Sequence, residues 1–154
     1  MGGRLARLAR SFGCALRGVW LCLRGERNFR IHLTAACYVA LFAWLGGVEP
    51  MGCALLALCF GLMLGAELLN TAAERLGDRL STDFDPLVRD AKDLAAGGVL
   101  ACAIACAAAG FFLFIPSGAL FRALTVLTAS TPRMLALALS MLSAVWFIFC
   151  AGRA

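Results

Sequence analysis

Four apolar runs, at residues 31–47, 51–69, 95–115 and 134–150, constrain this chain more than any other feature. Each approaches or reaches the ~20 residues a helix needs to cross the hydrocarbon core of a bilayer. Lipid admits only elements that satisfy their own backbone hydrogen bonds. With 62% of its 154 residues hydrophobic and a mean hydropathy of +0.89, the chain is too apolar for a soluble domain of its size and too short for several domains. The sequence predicts an all-α integral membrane protein with three core transmembrane helices (31–47, 51–69, 95–115) and a fourth, least distinct one at 134–150. Residues 1–115 form the membrane domain and residues 116–154 a C-terminal extension. Arginine recurs through residues 4–30 and interrupts any h-region, so no cleavable signal peptide is expected.

The net charge of +5 is unevenly distributed. Seven of the 14 basic residues (Arg4, Arg7, Arg10, Arg17, Arg24, Arg27, Arg30) precede the first run, and four more (Arg75, Arg79, Arg89, Lys92) separate the second from the third. The turn GGVEP has none, and residues 116–133 have two, Arg122 and Arg133. The positive-inside rule puts the N-terminus and the 75–92 segment in the cytoplasm and Glu49 outside. A fourth span would return Arg153 to the cytoplasmic side.

Leu5, Leu8, Phe12, Leu16, Val19 and Leu23 recur every three or four residues, while Arg4, Arg7, Arg10, Arg17 and Arg24 lie off that line. This pattern predicts an amphipathic helix over 4–24 that lies in the membrane interface, its arginines among lipid phosphates. It serves either as an anchor or as a direct contact for nucleotide or lipid phosphate. Nucleic acid is not an expected partner, because no aromatic interleaving or recognised module accompanies the arginines. The eight cysteines form no CxxC pair and mostly fall inside apolar runs, where Cys packs as a small hydrophobe. With His32 as the single histidine, a zinc site is not expected.

The chemistry is concentrated in ELLNTAAERLGD, residues 67–78, where the second run meets water. On a helix Glu67, Asn70, Glu74 and Asp78 share an arc of about 80°. A carboxylate near hydrocarbon is expensive, which makes Glu67 a functional candidate. Glu26 and Arg30 lie in RGERNFRIHL before the first run, and Lys92 and Asp93 in VRDAKDLAAGG as the third begins. Asp85 and Pro86 have the character of an N-cap and a first helical position, so the third helix starts well outside the bilayer. These residue types suit phosphoryl transfer. Glu26 and Glu74 can bridge Mg²⁺ to a nucleotide, Lys92 can offset phosphate charge, Asn70 can orient a substrate or carboxylate, and Glu67 can accept a hydroxyl proton. The plainer alternative is a pair of charged helix ends laced by local ion pairs such as Arg75 with Asp78 or Arg89 with Asp93.

The order ERNFRIH, ELLNTAAERLGDR, AKDLAAGGVL resembles the prokaryotic diacylglycerol kinase and undecaprenol kinase family, membrane enzymes of the bacterial inner membrane that phosphorylate a lipid alcohol with MgATP. The resemblance spans roughly residues 4–115. It implies Glu67 as general base, Glu26 and Glu74 as metal ligands, and Asn70, Asp78, Lys92 and Asp93 in the nucleotide and substrate site. Arg30 joins that set, as do Arg7 and Arg10 in a less specific stretch. It also implies a homotrimer with active sites shared between chains. No GxxxxGK[ST] or GxGxxG is present. The tail beyond Pro116 departs from the short family members. Both diacylglycerol and undecaprenol remain open as substrates, although ERNFRIH is closer to the undecaprenol kinase branch.

A transport or assembly subunit is the main non-enzymatic alternative. It requires ionisable residues deep in several spans, yet Glu49 is the only charged residue from 33 to 65 and none occurs from 94 to 115. A phosphatase acting through phosphohistidine would depend on His32 alone.

Overall fold

The computed structural model describes residues 2–80 and 85–151. Arg153, invoked above for topology, lies outside them. Six helices follow one another: α1 (Gly2–Gly25), α2 (Arg27–Leu45), α3 (Pro50–Leu80), α4 (Pro86–Phe114), α5 (Ala119–Thr128) and α6 (Thr131–Cys150). No strand occurs among the described residues, so the expected all-α class holds.

Helices α3, α4 and α6 are long and apolar enough to cross a membrane by length and composition. Helix α2 is not among them, which departs from the expectation for residues 31–47. Its first turn carries Arg27 and Arg30, and the run from Ile31 to Leu45 extends only about 22 Å. Helix α3 is one unbroken helix of 31 residues, about 46 Å long. That exceeds a ~30 Å hydrocarbon core by roughly ten residues. The polar stripe thus continues the helix that contains the second apolar run.

Turn chemistry sets the hairpins. Between α2 and α3, Gly47 has φ +64°, its N–H bonds to the Trp44 carbonyl at 3.3 Å, and the Val48 N–H reaches the Ala43 carbonyl at 2.9 Å. This is a Schellman ending, which needs a left-handed residue that glycine provides without strain. At the start of α4, Asp85 Oδ1 accepts the Leu87 N–H at 2.9 Å and Pro86 occupies the first turn, as the sequence predicted. Such a cap contributes about 1 kcal/mol.

Helices α3 and α4 pack as an antiparallel pair, and α2 lies against α3. The core sits at the end far from the stripe, where Ala43, Leu56, Phe114 and Ala119 meet Val39, Phe42, Phe60 and Leu113. The extension packs back on α2. Ala119, Ala123 and Leu127, spaced four apart, form the buried face of α5, and Arg122 Nε donates to the Gly46 carbonyl at 2.8 Å. Helix α6 runs antiparallel to α2. Tyr38 Oη lies 3.1 Å from Ser140 Oγ, and Arg30 Nε donates to the Ile148 carbonyl at 3.1 Å. The last turn of α6 therefore lies at the stripe end of the molecule.

Helix α1 carries Leu5, Leu8, Phe12 and Leu16 fully outward, each at least 58% exposed. An unpartnered apolar face of this length fits a helix resting in an interface. Its C-terminal end joins the bundle through Cys22, whose Sγ lies 3.3 Å from Thr71 Oγ1. Burial pushes the Cys22 thiol upward, with the Thr71 hydrogen bond acting the other way. It packs as a neutral group. All eight cysteines are free.

Candidate active site

The stripe descends α3 from a buried to an exposed environment. Glu67 is 3% exposed and Thr71 6%, Asn70 and Glu74 are half-buried, and Asp78 is exposed. The helix phase explains the sharing of one face. Burial falls along it because α1 and α2 cover the first two turns of the stripe and end before the last.

Glu67 meets α2 directly, with His32 Nε2 3.2 Å from its Oε1. Only 4% of the Glu67 side chain is exposed against 27% of His32, so the imidazole lies between the carboxylate and the outside. One turn on, Asn70 Nδ2 donates to Glu74 Oε1 at 2.9 Å. Asn70 Oδ1 is buried and has no partner among the described residues. A buried amide oxygen left without a donor is costly, and here it is an acceptor held beside a carboxylate.

Glu26 stands at the junction of α1 and α2. Its side chain does not cap α2. Its Oε1 instead receives Arg75 Nη2 at 3.4 Å. The same guanidinium lies against Gly25, where an added Cβ would fall 2.8 Å from Nη2. Glu26 and Glu74 both lie within electrostatic reach of Glu67. Three carboxylates from two parts of the chain thus face one region, with Arg75 offsetting part of the charge.

Helix α4 supplies the cation. Lys92 Nζ pairs with Asp78 Oδ1, and its stem crosses α3 at Gly77, where a Cβ would meet Lys92 Cε at 2.7 Å and Val88 Cγ1 at 3.0 Å. Glycine at 77 lets the lysine pass over the helix backbone. Asp93 points elsewhere, pairing with Arg89 at 3.7 Å on its own helix with both groups largely exposed.

Of the residues singled out in the sequence, Glu26, Glu67, Asn70, Glu74, Asp78 and Lys92 are brought to one end of α3. Arg30 is buried beside them, but its guanidinium is taken up by backbone: Nη1 donates to the Leu23 and Arg24 carbonyls at 3.0 Å each, and Nε to Ile148. A cation at a helix C-terminus is favourable, and Arg30 serves two at once. Arg7 and Arg10 bond to carbonyls of their own helix, at Gly3 (3.0 Å) and Ala6 (3.5 Å). They lie about 18 Å or more along α1 from Cys22. Two pairings were not anticipated. Arg75 bridges to Glu26 rather than Asp78, and His32 pairs with Glu67; the alternation of charge near 26 and 75 hinted at the first, and nothing local at the second.

Beside His32 an apolar cavity of about 330 Å³ opens between α2, α3 and α4. Val39, Cys59, Phe60, Met63, Cys106 and Phe114 line it, and His32 is the one wall residue whose side chain carries a nitrogen or oxygen atom. Glu67 itself does not line the cavity; His32 joins the two through its contact with the carboxylate.

The class so defined is a helical membrane protein with an acidic, partly buried cluster at one end of its longest helix and an apolar cavity beside it, the two joined at His32. The family described as prokaryotic diacylglycerol kinase matches residues 13–114. The chain is 38% identical over 112 residues to the undecaprenol kinase of Bacillus subtilis (strain 168), covering 73% of this chain and 91% of that one. It is 40% identical over 107 residues to a diacylglycerol kinase of Synechocystis, covering 69% of this chain and 61% of that one. No solved structure matches it. The chain belongs to the prokaryotic diacylglycerol kinase family and is a lipid kinase.

Proposed function

We propose that this protein transfers the γ-phosphoryl group of ATP to the hydroxyl of a membrane lipid alcohol, diacylglycerol or undecaprenol, with Mg²⁺. The observation that carries this reading is the gradient along α3: a carboxylate 3% exposed beside an apolar cavity, followed on the same face by groups progressively open to water. A lipid hydroxyl cannot leave the bilayer cheaply. The base therefore meets it at the edge of the hydrocarbon while the nucleotide arrives from the cytoplasm.

Glu67 accepts the hydroxyl proton as the hydroxyl oxygen bonds to the γ-phosphorus and the bond from that phosphorus to the β–γ bridging oxygen breaks, releasing ADP. Lys92 and Arg75 offset phosphate charge, and Asn70 fixes Glu74 through its amide. Glu26 and Glu74 are the groups that would hold Mg²⁺. Among the described residues no three His, Cys, Asp or Glu side chains form a closed metal cage. Magnesium typically takes one or two carboxylates and completes its shell with phosphate oxygens and water, so two glutamates and the unpartnered Asn70 Oδ1 fit such an ion. When bound, the ion neutralises charge on the β- and γ-phosphate oxygens.

A homotrimer with shared sites belongs to the same proposal. Leu55, Leu58, Leu62, Leu69 and Leu76 lie exposed on α3, each at least 43%. With Gly65 and Ala72 they repeat at alternating intervals of three and four, the seam of a coiled coil. The seam continues past the end of the hydrocarbon, where exposed leucine is unfavourable unless covered. Asp93, Arg7 and Arg10, which this chain does not bring to its own cluster, would then serve a neighbour's.

The test is transfer of labelled γ-phosphate from ATP to each lipid, with Mg²⁺ and with excess chelator. Labelled lipid that forms equally well under chelation overturns the metal roles of Glu26 and Glu74.

A further inference from the structure

We propose that His32 is a positioning residue for the Glu67 carboxylate, and that this role rests on the reading of Glu67 as base. Three observations meet at this side chain. His32 Nε2 is 3.2 Å from Glu67 Oε1. No other hydrogen-bond partner of the Glu67 side chain occurs among the described residues. His32 is also the one residue in the wall of the apolar cavity whose side chain carries a nitrogen or oxygen atom, so it links the cavity to the carboxylate it touches.

The hydrogen-bond chemistry assigns the proton. A glutamate that serves as base is ionised and offers only acceptors, so on that reading Nε2 carries the hydrogen of this contact, in the neutral or the cationic ring alike. The donation occupies Oε1. Oε2 then has no competing donor from α2 and is the oxygen available to a hydroxyl entering from the cavity. A glutamate has three rotatable side-chain bonds, and burial alone does not choose between pointing Oε2 at the cavity and pointing it along α3 toward Asn70. A donor on a second helix does choose. The groups facing His32 and Glu67 from the packed elements are consistent with this: Glu26 from the α1–α2 junction and Glu74 from α3 itself are both anionic and repel the carboxylate, so neither supplies the restraint.

Positioning has a distinct kinetic signature. A base misplaced by about 1 Å loses on the order of 10²-fold in rate, while binding of nucleotide by groups one or more turns away is unaffected. The experiment compares His32→Leu and His32→Gln in the intact protein reconstituted in lipid, reading kcat and the KM values for MgATP and lipid. The glutamine amide reaches a similar position and can donate to Oε1; leucine fills space without donating. Expected is a fall in kcat of roughly 10- to 100-fold for His32→Leu with KM for MgATP within about twofold of the parent, and recovery of most of the loss in His32→Gln. Both changes placed on a Glu67→Gln background should have no further effect, because the group they orient is already lost.

Near-parental kcat in His32→Leu overturns the proposal. So does an equal loss in both variants, or a loss that persists undiminished on the Glu67→Gln background, since each shows a role that does not pass through donation to Glu67. If Glu67→Gln alone keeps parental turnover, the reading of Glu67 as base fails. If Glu67→Gln is inactive and His32→Leu is not, only the inference about His32 fails.

Discussion

Glutamine placed separately at Glu67 and at Glu74 divides the two ends of the proposed reaction path. The residues are seven apart on one helix, about 10 Å along its axis, and the first is buried while the second is half open to water. Glutamine is isosteric, and its amide oxygen can still accept from His32 at position 67 or from Asn70 at position 74, so each variant should fold. At Glu67 the change removes the proton acceptor. Turnover should fall by roughly 10² to 10⁴, the range for a general base, with the apparent affinity for MgATP near that of the parent. At Glu74 the change removes a charge from the side of the cluster more open to water, where the proposal puts the nucleotide. A charge-assisted contact of on the order of 1.5–3 kcal/mol corresponds to about 10- to 150-fold in affinity. Here the apparent KM for MgATP should rise along with a fall in turnover. Initial rates in lipid vesicles over a matrix of ATP and lipid concentrations, with nucleotide binding measured separately by calorimetry, resolve the two patterns. Near-parental turnover in well-folded Glu67→Gln would make Glu67 a structural carboxylate and move the search for the base to Asp93.

Gly77→Ala sets a Cβ 2.7 Å from Lys92 Cε, against ordinary carbon contacts of about 3.5–4.0 Å, so the lysine stem must move by roughly an ångström; KM for MgATP should rise several-fold with little change in thermal unfolding. Arg30→Met leaves the Leu23, Arg24 and Ile148 carbonyls without their donor. A loss of about 2–4 kcal/mol is expected, together with faster alkylation of Cys150 as the last turn of α6 loosens; unchanged alkylation and stability would mean that α6 is held by packing alone. A reporter at Glu49 should behave as external and one at residue 85 as cytoplasmic, and a cytoplasmic Glu49 would overturn the charge argument for topology.

The apolar runs and the phase of 67–78 made the long helices and the stripe legible, because burial in lipid and the 100° step of a helix are properties of the local sequence. The start of α4 was legible for the same reason, since Asp85 and Pro86 act within one turn. Helix α5 was not singled out, although Ala119, Ala123 and Leu127 carry its buried face. Ten residues are too few for a span, and their partner is the backbone at Gly46, 73 residues earlier than Ala119. Residues 31–47 were read as a plain span, and nothing in them shows that Arg30, in the first turn of α2, bonds the ends of two other helices. The pairing of His32 with Glu67 depends on the register of α2 against α3. That register is fixed by the Schellman turn at Gly47 and the packing of Ala43 and Leu56, which no spacing near His32 encodes.

The most direct measurement of the central claim is a single assay run side by side on the two lipids. Purified protein in vesicles containing either diacylglycerol or undecaprenol is given ATP labelled in the γ position, and the lipid fraction is assayed for label with Mg²⁺ present and with it chelated. At least one lipid should acquire the label in a Mg²⁺-dependent reaction, and Glu67→Gln should abolish nearly all of it. No label in either lipid from a well-folded preparation, or label that survives both chelation and Glu67→Gln, would contradict the account.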